Sequence, residues 1–132
     1  MSTPDAQRPL VLIVEDADDI AGLMQHALRR LGVNSHHARS GFLALDFLAQ
    51  TTPDLLLLDI NMPGMTGWQV LDTIKERYPD ARYPVIVMTA LTDPANRTIG
   101  KLQSQVVRYL TKPFELAVFE KAVRDVLNLD GA

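Results

Sequence analysis

The 132-residue chain contains no cysteine. Disulfides and thiolate metal sites are excluded, and the composition fits a reducing compartment. No apolar run is long enough to span a bilayer, and the N-terminus carries no signal-peptide pattern, so the cytoplasm is the expected location. There is no excess of basic charge: 13 Lys and Arg stand against 16 Asp and Glu, a formal net charge of -3. Neither nucleic acid nor an anionic membrane is expected as a partner. Internal repeats, low-complexity tracts and dividing linkers are missing too. One globular domain with one core is the expectation, with residues 10–128 as the domain, 1–9 as an N-terminal tail and 129–132 as a C-terminal one.

What the chain does have is a set of short, continuous apolar runs. The most telling is Leu55 to Leu58, bounded by Pro53 and Pro63, too short for an ordinary helix and read as a strand buried on both faces. It ends on Asp59, just before the break at Met62-Pro63-Gly64. Leu10–Val14, Val33–Ala38, Pro84–Met88 and Val106–Leu110 read as further strands, the second of them weak and suited to an edge. Between them lie helical patterns. Asp18 or Asp19 caps one carrying Ile20, Leu23, Ala27, Leu28 and Leu31, which Gly32 ends. Ser40 caps one with Ala44, Leu45 and Leu48. Thr66 caps one with Gly67, Val70, Leu71, Ile74 and Tyr78. Asp93-Pro94 starts a poor one that Gly100 interrupts. The last carries Leu116, Phe119, Val123, Val126 and Leu127. Alternation of this kind predicts an α/β fold: a doubly wound, five-stranded parallel sheet, flavodoxin-like, with helices on both faces and strand order 2-1-3-4-5.

All carboxyl ends of a parallel sheet lie along one edge, where ligands bind in such folds. That edge receives Glu15 and Asp16, then Asp59, then Thr89, then Lys112. Two full charges 4 Å apart repel by about 4 kcal/mol at an effective dielectric of 20. Either one acid stays protonated or a divalent cation sits among them. Oxygen-only ligands point to Mg2+, Mn2+ or Ca2+, and a site with few protein ligands keeps water, as Mg2+ prefers. Asp59 is the expected nucleophile of a phosphoryl transfer. A cation relieves the repulsion between carboxylate and phosphoryl group, Lys112 holds one phosphoryl oxygen and Thr89 donates to another.

Glu15-Asp16 after an apolar strand, Asp59 followed by Met62-Pro63-Gly64 and Gly67, Thr89-Ala90, and Tyr109-Leu110-Thr111-Lys112-Pro113-Phe114 together resemble the receiver domain of two-component response regulators, over nearly the whole stretch from Leu10 to Leu127. The resemblance implies phosphorylation of Asp59 by a sensor histidine kinase or a phosphotransfer protein. It implies Mg2+ held by Asp16, Asp59 and the backbone carbonyl of Asn61, with Glu15 assisting through water. It makes Thr89 and Tyr109 a switch pair and Lys112 the phosphate-sensing lysine. The sequence departs from the family at Gln105 and Val106, where Gly-Ala is usual, and in a Thr89–Lys112 segment about one residue longer. Asn61 and Leu91 occupy positions that vary in the family and tune phosphoryl lifetime.

The alternative is a Mg2+-dependent phosphatase with an aspartyl nucleophile. Such an enzyme, resembling the haloacid dehalogenase family, needs a second acid two residues after the nucleophile, and Asn61 stands there. A flavodoxin-like cofactor binder would need a Ser-, Thr- and Gly-rich loop where Glu15-Asp16 stand. A stand-alone receiver, switching its binding to a separate downstream protein and not an enzyme beyond its own phosphorylation and dephosphorylation, is the expected function. His26, His36 and His37 lack acidic or cysteine partners at ligand spacing and are expected to be incidental. Trp68 is expected to pack or to meet a partner beside the site loop, and Arg29, Arg30 and Arg39 to be solvated.

Overall fold

Side chains that point alternately to the two faces of short strands divide the core into two layers in the computed structural model, which describes residues 8–90 and 104–129. The strands are β1 (Leu10–Val14), β2 (Asn34–Ala38), β3 (Leu55–Asp59), β4 (Val85–Ala90) and β5 (Val106–Lys112). The helices are α1 (Asp18–Arg30), α2 (Gly41–Leu48), α3 (Gly67–Arg77) and α4 (Leu116–Leu127). The sheet is wholly parallel in the order β2-β1-β3-β4-β5, as the sequence predicts. Successive strand residues face opposite sides. Leu12, Val14, Leu56, Leu58 and Val87 therefore meet Ala44 and Leu45 of α2 and Val70, Leu71 and Ile74 of α3. Val11, Ile13, Leu55, Leu57, Ile86 and Met88 meet Ala21, Met24, Ala27 and Leu28 of α1 and Phe119, Ala122 and Val123 of α4. Leu55 to Leu58 are all 0% exposed, which is why β3 can be an unbroken leucine run.

Several local expectations change. Residue Ala17 is the N-cap of α1 and makes no side-chain cap bond, while Asp18 and Asp19 sit inside the first turn, where the helix dipole favours acids. Leu23 is 61% exposed, and Ala21 and Met24 take the inner positions expected of it. Gly32 follows the helix with φ +77, a conformation that favours glycine. Strands β4 and β5 run past their apolar residues, because Thr89 pairs with Thr111 and Ala90 with Lys112 in register. Leu116 is at the exposed margin of α4. Ser40 and Thr66 cap α2 and α3 as expected, and Thr66 forms a full capping box with Gln69. The helix expected from Asp93, with Gly100, lies outside the described residues, as do Leu91 and most of both tails. Among the described residues no helix is long and apolar enough to cross a membrane.

Candidate functional site

The buried strands end together, and their terminal side chains meet. Asp59 is the last residue of β3 and is 2% exposed. It is level with Met88 of β4, so Thr89 lies one position beyond it on the neighbouring strand, buried. Glu15 follows β1 directly and is 0% exposed, whereas Asp16 beside it faces solvent. Glu15, Asp16 and Asp59 each bring one carboxylate oxygen within 4.8 Å of the others. Lys112, at the end of β5, reaches into this group. Its Nζ lies 2.5 Å from Glu15 Oε1 and 3.3 Å from Asp59 Oδ2. Burial works to lower the Lys112 pKa, but the hydrogen bond to Glu15 and the charges of Asp59 and Glu15 together outweigh it and hold the ammonium above its ordinary value.

The Asp59 carboxylate is oriented from both sides. Its Oδ1 accepts from the backbone N–H of Asn61 at 3.0 Å, and its Oδ2 faces Lys112. Asn61 thus enters the site through its N–H, and its side chain is exposed. The turn after Asp59 is held by Gly67, whose N–H donates to the Ile60 carbonyl at 3.1 Å. A Cβ on Gly67 would lie 2.6 Å from the Asp59 carbonyl oxygen, so only glycine lets α3 start this close to the strand end. Tyr109 is level with Val87 on β5, half-buried against the α2–α3 layer, two residues before the Thr111 that pairs with Thr89. The Lys112–Pro113 peptide bond is cis.

The donor set suits a small hard cation. It is all oxygen, two acids are buried and one is open to water, and three carboxylates against one ammonium leave two formal negative charges. Six of the seven residues singled out in the sequence lie at this edge, and Tyr109 lies lower on its strand. Sequence reasoning missed two features. His37 Nε2 bonds the Glu15 carbonyl oxygen at 2.6 Å, and the Ala17 N–H donates to Glu15 Oε2 at 3.3 Å. The parallel register of β1 and β2 sets His37 beside Ile13, two residues short of Glu15, so strand pairing alone gives no sign of the bond. His26 and His36 are exposed, the latter stacked on Phe47, and Trp68 packs against the α2–α3 layer. Arg39 pairs with Asp18 at 2.8 Å in solvent.

Comparison with known proteins agrees with this geometry. The family described as response regulator receiver domain matches residues 11–124. The DNA-binding transcriptional regulator NtrC of Escherichia coli (strain K12) is 38% identical over 121 residues, covering 89% of this chain and 25% of that protein. A probable cyclic di-GMP phosphodiesterase of Vibrio cholerae is 35% identical over 128 residues, 97% of this chain and 29% of that protein. The chain therefore spans about a quarter of the length of these curated relatives. Among solved structures, the signal receiver domain of an HD domain-containing protein from Pseudomonas fluorescens Pf-5 superimposes with a TM-score of 0.82 at 29% identity, covering 92% of this chain and 96% of that one. The chemotaxis protein CheY4 of Vibrio cholerae gives 0.79 at 27%, covering 90% and 98%. With the parallel sheet, the acid cluster and the lysine at its carboxyl edge, and a family match over most of its length, this chain belongs to the response regulator receiver domain family.

Proposed function

We propose that Asp59 accepts a phosphoryl group from a sensor histidine kinase or a phosphotransfer protein, and that the aspartyl phosphate changes which protein this domain binds. The observation that carries this is the convergence of Glu15, Asp16, Asp59 and Lys112 at one strand edge. In the transfer an Asp59 carboxylate oxygen forms a bond to phosphorus as the phosphorus–nitrogen bond to the donor's histidine breaks, and the imidazole nitrogen keeps the electron pair. Glu15, Asp16 and Asp59, with the Asn61 carbonyl, are the residues to hold Mg2+, which when bound offsets the charge between carboxylate and phosphoryl oxygens. The Asn61 N–H keeps the Asp59 carboxylate turned toward the opening, and Lys112 exchanges Asp59 for a phosphoryl oxygen. Thr89 then donates to a second phosphoryl oxygen, and Tyr109 turns into the space it leaves.

The same reading makes residues 10–128 a receiver that acts on a separate molecule from the cytoplasm, without nucleic-acid or membrane contacts of its own. It turns over no substrate besides its own phosphoryl group. The phosphatase alternative is less well supported, because the exposed Asn61 amide has no acidic proton to give a leaving group. The test is incubation with acetyl phosphate and Mg2+, read by intact mass. One phosphoryl group should appear on the wild-type chain and none on Asp59→Asn. Labelling of both at the same rate would overturn the assignment.

A further inference from the structure

Every polar group of Glu15 is engaged. Its N–H donates to the Ala38 carbonyl at 3.1 Å, and its carbonyl accepts from His37 Nε2 at 2.6 Å. Its Oε1 accepts from Lys112 and its Oε2 from the Ala17 N–H. Two of these four bonds come from the end of β2, the edge strand beside β1. A carbonyl oxygen can only accept, so the His37 Nε2 must carry the proton. Both the neutral Nε2–H tautomer and the imidazolium meet that need, so the bond survives protonation of the ring.

The bond falls at a sensitive place. The Glu15 carbonyl belongs to the peptide joining Glu15 to Asp16, and His37 therefore fixes the plane of that peptide. Asp16 is exposed, and among the described residues no hydrogen bond or ion pair holds its carboxylate. Its direction toward Glu15 and Asp59 is set by the backbone it hangs from. We propose that His37 is a positioning residue for the cation site: by bonding the Glu15–Asp16 peptide it aims the Asp16 carboxylate at the position between Glu15 and Asp59. This inference rests on the receiver reading above. Groups that orient the ligands of a metal without touching it typically change its affinity 10- to 100-fold when removed.

The experiment measures Mg2+ affinity by calorimetry, alongside thermal melts in chelator. The variants are His37→Phe, which keeps a ring but no donor, and His37→Gln, whose amide nitrogen reaches the place of Nε2. His37→Phe should bind Mg2+ about tenfold more weakly. His37→Gln should stay within about threefold of wild type, because one restored hydrogen bond recovers most of the loss. A His37→Phe chain that binds Mg2+ as wild type does, whatever its melting temperature, would overturn the proposal. So would a His37→Gln chain as weak as His37→Phe. The wild-type chain supplies an independent check: imidazole nitrogen shifts at about pH 8 should report a proton on Nε2, and the opposite tautomer would remove the bond and the proposal with it. No Mg2+ binding by the wild-type chain would overturn the receiver site itself, an outcome distinct from the loss of His37's role alone.

Discussion

Glu15 is a fully buried acid whose charge is met by an ammonium from a strand 97 residues away. Removing that partner leaves the carboxylate buried and unpaired, which costs about 3 kcal/mol in comparable pairs. Lys112→Met should therefore lower stability in urea without Mg2+, and Glu15→Gln added to it should recover most of the loss. An unchanged midpoint for the single variant would refute the pairing. Asp16→Asn acts in the other direction: it relieves repulsion in the acid cluster, so the melting temperature without Mg2+ should rise, and the Mg2+-dependent shift should shrink. Tyr83 gives a pH effect away from the site. Burial, with Tyr78 adding to it, pushes its pKa up to about 12. Its folded value is raised, so the stability it lends is whole below the unfolded pKa near 10 and is lost as pH rises toward 12. From about pH 9 to pH 11 the wild-type chain should lose about 1.3 kcal/mol more than Tyr83→Phe. At this scale Asp59 and Lys112 were legible because each stands at the end of a strand-forming run and must fall at the carboxyl edge, although only the run before Asp59 is buried throughout. His37 was not, since its partner is a backbone carbonyl and carbonyls leave no mark in a sequence.

Elements carry these residues to the edge, and their ends matter more than their middles. The four leucines of β3 made that strand plain, and the Thr66 and Ser40 caps were readable from side-chain chemistry alone. The start of α1 was not readable, because its N-cap Ala17 has no capping side chain and the acids expected there lie one and two residues further in, within the first turn. The ends of β4 and β5 were also missed: pairing between Thr89 and Thr111 and between Ala90 and Lys112 continues after the hydrophobic signal stops. That extension puts Thr89 and Lys112 on rigid ladder positions and not on a loop. The junction of β3 and α3 yields the sharpest prediction at this scale. In Gly67→Ala the new methyl meets the Asp59 carbonyl oxygen at 2.6 Å and the Ile60 Cα at 2.9 Å, both backbone atoms that cannot turn away. Overpacking of this kind costs about 1–3 kcal/mol. Chemical denaturation should show that loss, and phosphorylation by acetyl phosphate should slow, since the strand end must shift with Asp59 on it. Wild-type values for both would mean that α3 can back away freely.

Across the whole molecule, the site exists only when β1, β3, β4 and β5 are in register, so folding and site assembly are one event. The acids that repel one another at the edge are tolerated because two core layers hold the strands beneath them. The topology was legible, because five strand-forming runs alternating with helical patterns leave few right-handed arrangements; only β1, β3 and β4 are buried throughout most of their length, and β2 and β5 are the edges. The position of Tyr109 against the α2–α3 layer was not legible, since it depends on packing that no motif encodes. If phosphorylation draws Thr89 toward the new oxygens, amide hydrogen exchange should change at Ala90 and Tyr109 on adding a beryllofluoride mimic, and the change should vanish in Thr89→Ala. Equal exchange with and without the mimic in the wild-type chain would remove the switch while leaving the acceptor in place. The acceptor itself is tested most directly by trapping it. After incubation with Mg2+ and acetyl phosphate, borohydride reduces an aspartyl phosphate to homoserine, and peptide mass mapping locates that residue. Homoserine at position 59, and only in the sample given the phosphodonor, is the predicted result; homoserine at another acid, or none anywhere, would contradict it.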